Sequence, residues 1–169
     1  MGVTSLLLPE VGRALADHRR PVPVRVHTGG DDAGALIHPI WLRRIVANLL
    51  NNAHQHAGGA TAVGVGRTRE WAWIAVEDAG HGIPAAEREH IFSRVASPAN
   101  QSSGQGSHLG LAITREHIRR AGGELSVQDC PGRGARFLLQ LPDARHAAGV
   151  GHRAGDCTRP KEDVRWRPP

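Results

Sequence analysis

The chain of 169 residues is poor in cysteine and has no long apolar run. With only Cys130 and Cys157, it encodes no disulfide framework, and a reducing cytoplasmic compartment fits best. The longest apolar runs, at residues 6–8 and 45–50, are far too short to cross a bilayer, and the N-terminus lacks the pattern of a secretory signal. We therefore expect a cytoplasmic protein that does not insert in a membrane by itself.

The net charge of +5 comes from arginines scattered along the chain, such as Arg13, Arg69 and Arg136. A nucleic-acid-binding protein usually concentrates its basic residues on one face and adds a readout motif. Trp71 and Trp73 lie on the same face of a predicted strand, and we interpret that face as covered by a helix or a partner, not as a base-stacking platform. No nucleic-acid partner is therefore expected.

Apolar spacing predicts alternating helices and hairpins within one domain at residues 4–142. The most regular pattern, at residues 39–56, has apolar residues three and four apart and ends at Gly58-Gly59. The predicted helices are residues 9–18, 39–56, 85–91 and 109–121, and the predicted strands are residues 21–27, 61–67, 71–78, 124–129 and 135–141. The prolines in residues 21–27 favour an edge strand. Residues 143–169, with few large apolar side chains, are expected to form a disordered basic tail.

Four polar residues share one stripe of the helix at 39–56, namely Asn48, Asn52, Gln55 and His56. Carboxamide oxygens are neutral ligands suited to Mg²⁺, and an imidazole can donate to phosphate. Taken alone, the stripe decides little, because a single asparagine on a helix more often belongs to a solvated rim.

A second polar group follows the strand at 71–78. Asp78 stands at the strand end, and Gly80 and Gly82 let the backbone approach a ligand, so the carboxylate could accept from an exocyclic amine. A simple turn explains the same residues about as well.

The glycine-rich residues 104–110 open into the helix at 109–121, and a helix N-terminus offers unpaired N–H groups to phosphate. The Gly-Lys-Ser/Thr ending of a P-loop and the strand-then-helix setting of a dinucleotide fingerprint are both absent. Any nucleotide must therefore be bound by another type of fold.

Together these segments resemble the ATP-binding domain of bacterial sensor histidine kinases. Residues 48–53 (NLLNNA) resemble its N box, residues 78–83 (DAGHGI) its G1 box, residues 91–92 (IF) its F box and residues 106–113 (GSHLGLAI) its G2 box. Residues 122–125 (GGEL) and 132–142 (GRGARFLLQLP) resemble its last hairpin. The resemblance covers roughly residues 6–142, and the four boxes follow in the family's order.

The resemblance implies an α/β fold, a two-layer sandwich of a mixed sheet with helices on one face, known as the Bergerat ATP-binding fold of gyrase, Hsp90 and MutL. It implies ATP and Mg²⁺ as cofactors, with Asn52 as the metal ligand, Asn48 on the phosphate side as a second catalytic residue, and Asp78 at the adenine amino group. Residues 97–106 would form a lid over the phosphates. The ATP-binding residues implied in this way are Asn48, Asn52, Gln55, His56, Asp78, Gly80, Gly82, Ile83, Phe92, Arg94, Gly106, Ser107, His108, Leu109 and Gly110.

Four positions depart from the family's pattern. Gln55 replaces a usual basic residue, and His108 stands at the second glycine of the G2 box. Val95 replaces the second aromatic of the F box, and Ser97 stands where the family has a basic residue. ATP binding is therefore expected more firmly than fast turnover, although Arg94 or His108 could supply some of the lost charge.

None of the 11 histidines has the family's phospho-acceptor pattern, a His followed by Glu or Asp and then Thr-Pro. Autophosphorylation within this sequence is thus not expected. The leading hypothesis is a kinase half that phosphorylates a histidine on a separate dimerisation protein, which then serves a response regulator. The alternatives are a nucleotide-dependent binding module or pseudokinase, a serine kinase similar to anti-sigma factors, and a truncated pseudogene product.

Overall fold

The computed structural model describes residues 3–18, 20–93, 106–130 and 134–147. The helices are α1 (Leu7–Ala16), α2 (Pro39–Ala57), α3 (Gly106–Arg120) and α4 (Ala144–Ala147). The strands are β1 (Thr4–Leu6), β2 (Val24–Val26), β3 (Gly34–Leu36), β4 (Ala60–Arg67), β5 (Trp71–Asp78), β6 (Glu124–Asp129) and β7 (Ala135–Pro142). Among the described helices, none is long and apolar enough to span a membrane.

Helix α2 forms the centre of the helical layer. It begins at Pro39, whose missing N–H costs nothing at a first helical position, and the His38 side chain accepts a hydrogen bond from the Ile40 N–H at 3.3 Å. Its apolar residues, spaced three and four apart, are buried against the sheet. The helix ends at Gly58, which adopts a φ of 74° that an L side chain would resist. The helix predicted for residues 39–56 is thus confirmed.

The main sheet has five strands in the order β2-β4-β5-β7-β6. β2 is parallel to β4, and the other three pairs are antiparallel, so the sheet is mixed. The predicted hairpins β4–β5 and β6–β7 are present, and β2 lies at the edge, as its prolines indicated. The predicted α/β class, with a mixed sheet and helices on one face, is confirmed.

The core lies between the helices and one face of the sheet. On β5 and β7, alternate residues such as Ile74, Val76 and Leu139 point into this core beside Leu49 and Leu50 of α2. Because each of these side chains is at most 1% exposed, the helices and the sheet hold each other in place by apolar burial. The site described below therefore stands on a rigid base.

The opposite face of the sheet carries a separate cluster of Trp73, Ala75 and Leu138, to which no described helix contributes. The Trp73 ring lies across β4, where a Cβ added at Gly66 would come within 2.2 Å of it. Trp73 is only 5% exposed, and the ring of His27 stands 5.1 Å from it. Leu138 and the neighbouring ring of His27 thus contribute to the burial of Trp73, and coverage of this face by a helix or a partner stays a prediction.

Three features differ from the sequence predictions. Residues 85–91 form turns and one 3₁₀ turn at His90–Phe92 in place of a helix, because so short a segment gains too few hydrogen bonds to offset helix nucleation. β1 and β3 pair as a small antiparallel sheet that was not predicted, since three residues are too few to show alternation. The described chain also continues past residue 142, where Asp143 is 1% exposed and α4 follows.

Candidate functional site

A cavity lies between the C-terminal half of α2, the loop after β5 and the start of β7. Its floor is formed by residues of the sheet, and its walls by the helix and the loop. Of the residues predicted for nucleotide binding, six line it: Asn52, His56, Asp78, Gly80, Gly82 and Ile83. The structure thus brings Asn52 of the N box and every residue of the G1 box except Ala79 to one place.

Asp78 is a polar group of this cavity that two backbone N–H groups hold in place. Its Oδ1 accepts hydrogen bonds from the backbone N–H of Gly80 at 2.9 Å and of Ala135 at 3.1 Å, and the residue is 7% exposed. The other oxygen, Oδ2, accepts no hydrogen bond from the described residues. Because Asp78 lines the cavity, Oδ2 is available to a donor on a ligand.

Two glycines allow the backbone to close around Asp78. A Cβ at Gly134 would lie 1.7 Å from the Asp78 carbonyl oxygen, so only glycine lets β7 begin this close to the end of β5. A Cβ at Gly80 would lie 2.7 Å from the Cβ of Ala57, so glycine lets the loop pack on the end of α2. Sequence reasoning missed Gly134 and Ala135 as site residues, although the glycine before the last strand was a visible signal.

A second depression, the α2–α3 groove, lies on the other side of the N-box residues. It is lined by Trp41, Arg44, Ile45, Asn48, Gly110, Ile113, Thr114 and His117. The Asn48 Nδ2 donates a hydrogen bond of 3.0 Å to Thr114 Oγ1. Asn48 and Asn52, one helical turn apart, therefore border two neighbouring depressions, and Gly110 of the G2 box lines the same groove as Asn48.

Other predicted site residues lie elsewhere. Gln55 is exposed and lines neither depression, because it diverges from His56 by about 100° around the helix, and the cavity is on the side of His56. Phe92 is buried in the core, with the Arg115 guanidinium 4.6 Å from its ring centroid. Arg94, Val95 and residues 97–105 of the predicted lid lie outside the described residues. Gly106, Ser107, His108 and Leu109 form the first turn of α3, and only their backbone is described.

Few charged side chains line the cavity. Among its described lining residues there is no lysine or arginine, and its basic groups are the imidazoles of His56 and His81. Mg²⁺ usually binds one or two protein oxygens and completes its shell with phosphate and water. Asn52 is 8% exposed and lines the cavity, and its carboxamide oxygen is a suitable ligand for Mg²⁺ bound in this way. The residues present therefore fit the metal.

Two pKa shifts occur near the site but outside the cavity. Burial raises the pKa of the Cys130 thiol, and the Glu77 carboxylate adds to this effect. On the sheet face that carries Trp73, burial lowers the pKa of His27, and the charge of Arg25 acts in the same direction. At neutral pH the thiol is therefore protonated and the imidazole uncharged.

Residues 37–145 match the family described as "Histidine kinase-, DNA gyrase B-, and HSP90-like ATPase". The chain is 34% identical over 125 residues to the alginate biosynthesis sensor protein KinB of Pseudomonas aeruginosa, covering 73% of this chain and 21% of that protein. It is 38% identical over 109 residues to the signal transduction histidine-protein kinase AfsQ2 of Streptomyces coelicolor, covering 64% of this chain and 20% of that protein. The chain therefore spans about a fifth of the length of these relatives.

A solved structure of the ATP-binding domain of PrrB from Mycobacterium tuberculosis superposes with a TM-score of 0.65 at 29% identity. The match covers 84% of this chain and 97% of that domain, so the shared fold accounts for nearly all of the solved domain. The chain belongs to the family of histidine kinase-, DNA gyrase B- and HSP90-like ATPases, as an ATP-binding domain of the sensor histidine kinase type.

Proposed function

We propose that this domain binds Mg·ATP in the cavity and transfers the γ-phosphate to a histidine on a separate dimerisation protein, which in turn serves a response regulator. The observation that carries the proposal is the arrangement around Asp78. A buried carboxylate with one oxygen held by two backbone N–H groups keeps its other oxygen for a ligand. An adenine amino group is the donor that such an acceptor fits.

The rest of the nucleotide would run from Asp78 along α2 towards α3. Ile83 and Ile91 give the cavity apolar sides for a base, and Asn52 lies between that end and the α2–α3 groove. The phosphates would then reach the first turn of α3, whose unpaired N–H groups and dipole favour anions. Asn52 would hold Mg²⁺, which when bound would neutralise charge on the phosphates.

The α2–α3 groove supports approach of the acceptor from the side of Asn48. Trp41 and Ile113 are each 39% exposed along it, and the Arg44 guanidinium lies 5.9 Å from the Trp41 ring centroid. A partner segment with apolar and acidic side chains fits these walls. The lone pair of its histidine would form the N–P bond as the bond from the γ-phosphorus to the bridging oxygen breaks, and ADP would leave.

A second candidate is a nucleotide-dependent binding module without turnover. It is favoured by the absence of lysine and arginine among the described residues that line the cavity, since such cations usually stabilise the charge that develops on a transferred phosphoryl group. In that case ATP would set the conformation of the domain and thereby its affinity for a partner.

The test is to incubate the purified chain with Mg·ATP labelled at the γ-phosphate and a separate dimerisation segment that carries a phospho-acceptor histidine. Acid-labile label on that segment is expected, and it should disappear when the acceptor histidine is replaced by glutamine. Acid-stable label would indicate a serine kinase instead. ATP binding without any label on the segment would contradict the transfer and favour the binding module.

A further inference from the structure

Thr114 is a buried polar residue on α3 that the sequence did not single out. It is 1% exposed, and its hydroxyl oxygen accepts the 3.0 Å hydrogen bond from Asn48 Nδ2 on α2. The two residues are 66 positions apart in the chain, so this bond joins two helices and does not arise from local geometry. A buried hydroxyl aimed at one side chain can fix how that side chain is turned.

The surface of α3 beside Asn48 is shaped for this contact. Gly110 lies one turn before Thr114, and a Cβ added there would lie 4.0 Å from Asn48 Cγ. Since residues four apart share one helix face, Gly110 and Thr114 face the same carboxamide. Gly110 lies beside the carboxamide without crowding it, since even an added Cβ would make only an ordinary van der Waals contact, and Thr114 supplies the hydrogen-bond acceptor.

The hydrogen bond decides which end of the Asn48 amide is presented to a ligand. A carboxamide has a donor end and an acceptor end, and its terminal torsion is broad and nearly two-fold, so nothing in the side chain itself selects an orientation. A helical threonine commonly donates its proton to the carbonyl one turn earlier, which leaves its oxygen to accept. With Nδ2 engaged by Thr114, Asn48 Oδ1 is the end left for other contacts.

We propose that Thr114 is a positioning residue, which holds the Asn48 carboxamide with its oxygen presented to the phosphate side of the bound nucleotide. The proposal rests on the proposed nucleotide site, and it concerns how that site is kept ready. An amide oxygen suits a metal ion, a metal-bound water or an imidazole N–H, whereas an amide N–H turned to the same place would repel each of them.

The primary test is the gain in nucleotide affinity on adding Mg²⁺, measured by calorimetric titration with a non-hydrolysable ATP analogue. Thr114→Val, which keeps the shape and removes the acceptor, should reduce this gain about tenfold and leave affinity without Mg²⁺ unchanged. Thr114→Ser should restore it. In the double variant with Asn48→Ala, Thr114→Val should cause no further loss, because the two residues act through one contact.

A merely structural bridge between α2 and α3 predicts something different. Thr114→Val would then weaken binding with and without Mg²⁺ alike, and its effect would add to that of Asn48→Ala. Thr61→Val is the matched control, because Thr61 donates to the Glu77 carbonyl at 3.2 Å on β4, and its substitution removes the same atoms away from the cavity. A reduced Mg²⁺ gain in this control would also overturn the proposal.

The side-chain amide resonances of Asn48 give a readout that needs no nucleotide. In the unliganded domain, Thr114→Val should shift them and speed their exchange with solvent, while Thr114→Ser should leave them near the wild-type positions. Unchanged resonances in Thr114→Val would refute the positioning role. If the wild-type domain binds Mg·ATP but transfers no phosphate, the transfer hypothesis fails, and the Thr114 measurements still decide their own question.

Discussion

Replacing Asp78 with asparagine would separate the two roles of this carboxylate. The Oδ1 atom accepts from the N–H groups of Gly80 and Ala135, which fixes the loop. Oδ2 accepts no hydrogen bond from the described residues, and we place the adenine amino group at this atom. An asparagine oxygen can keep both backbone bonds. The asparagine Nδ2 then stands in place of Oδ2, so that its N–H group faces the adenine amino group, which is also a donor. We therefore expect Asp78→Asn to keep the fold and to lose the nucleotide.

The size of the effect follows from the bonds involved. A hydrogen bond to a charged group contributes about 1.5–3 kcal/mol, so losing it and facing two donors should reduce ATP affinity about 100-fold. The free energy of unfolding should change by about 1 kcal/mol or less, because both backbone donors stay paired. Asp78→Ala leaves two backbone N–H groups without their acceptor and should cost about 2–6 kcal/mol, a large part of a domain's stability.

Calorimetric titration with a non-hydrolysable ATP analogue, together with urea unfolding, measures both quantities. Glu77→Gln is the matched control, because this substitution removes a carboxylate charge one residue earlier in the chain. Glu77 lies on the opposite sheet face, where it pairs with Arg136 at 2.9 Å. A guanosine analogue, which has an accepting carbonyl oxygen in place of the adenine amino group, should lose far less affinity on Asp78→Asn. A folded Asp78→Asn domain that binds ATP as tightly as wild type would refute the assignment of this residue to adenine.

Three further predictions concern the frame around the site. Gly134→Ala should destabilise the domain by more than about 3 kcal/mol in thermal or urea unfolding, because its Cβ meets the Asp78 carbonyl, whereas Gly12→Ala, with open space around its Cβ, should not. The pKa of His27 is lowered from 6.5 in the folded domain, so as the pH falls the unfolded chain takes up the imidazole proton first and the folded state loses stability. His27→Gln should therefore reduce the fall in the free energy of unfolding between pH 7.5 and 5.5, measured by urea unfolding. A chain ending at residue 142 lacks the buried Asp143 and should unfold at lower temperature in calorimetric scans, while one ending at residue 147 should not.

The main elements of the fold could be predicted because each shows its period over many residues. Helix α2 spans Pro39–Ala57 with apolar residues three and four apart, and β5 spans Trp71–Asp78 with alternate burial on its two faces. The turn at residues 85–89 and the strands β1 and β3 are too short to show a hydrophobic period. Their conformation is decided by contacts with other parts of the chain. In this region Arg88 bonds to the Ile83 carbonyl and to Asp129, contacts that a sequence pattern does not encode.

The candidate site was predictable where a motif supplied it and hidden where two distant segments meet. Asn52 and Asp78 stand in motifs, and both line the cavity. The N–H of Ala135, 57 residues beyond Asp78, and the hydroxyl of Thr114 reach the site only because β7 pairs with β5 and α3 packs on α2. Pairings between distant segments leave no periodic signal, so residues that support a ligand-binding group from another element are the ones that sequence reasoning misses.

The indole of Trp73 covers part of β4 on the sheet face to which no described helix contributes. A Cβ at Gly66 would come within 2.2 Å of the ring and one at Gly64 within 3.2 Å, so the ring can pack on β4 in this way only while position 66 is glycine and position 64 is small. A larger residue at 66 becomes acceptable only once the residue at 73 is smaller, and a smaller residue at 73 alone would expose the strand to water. In related chains we therefore expect the residues at positions 66 and 73 to vary together. Such joint variation would show how each member of the family covers this face of its sheet.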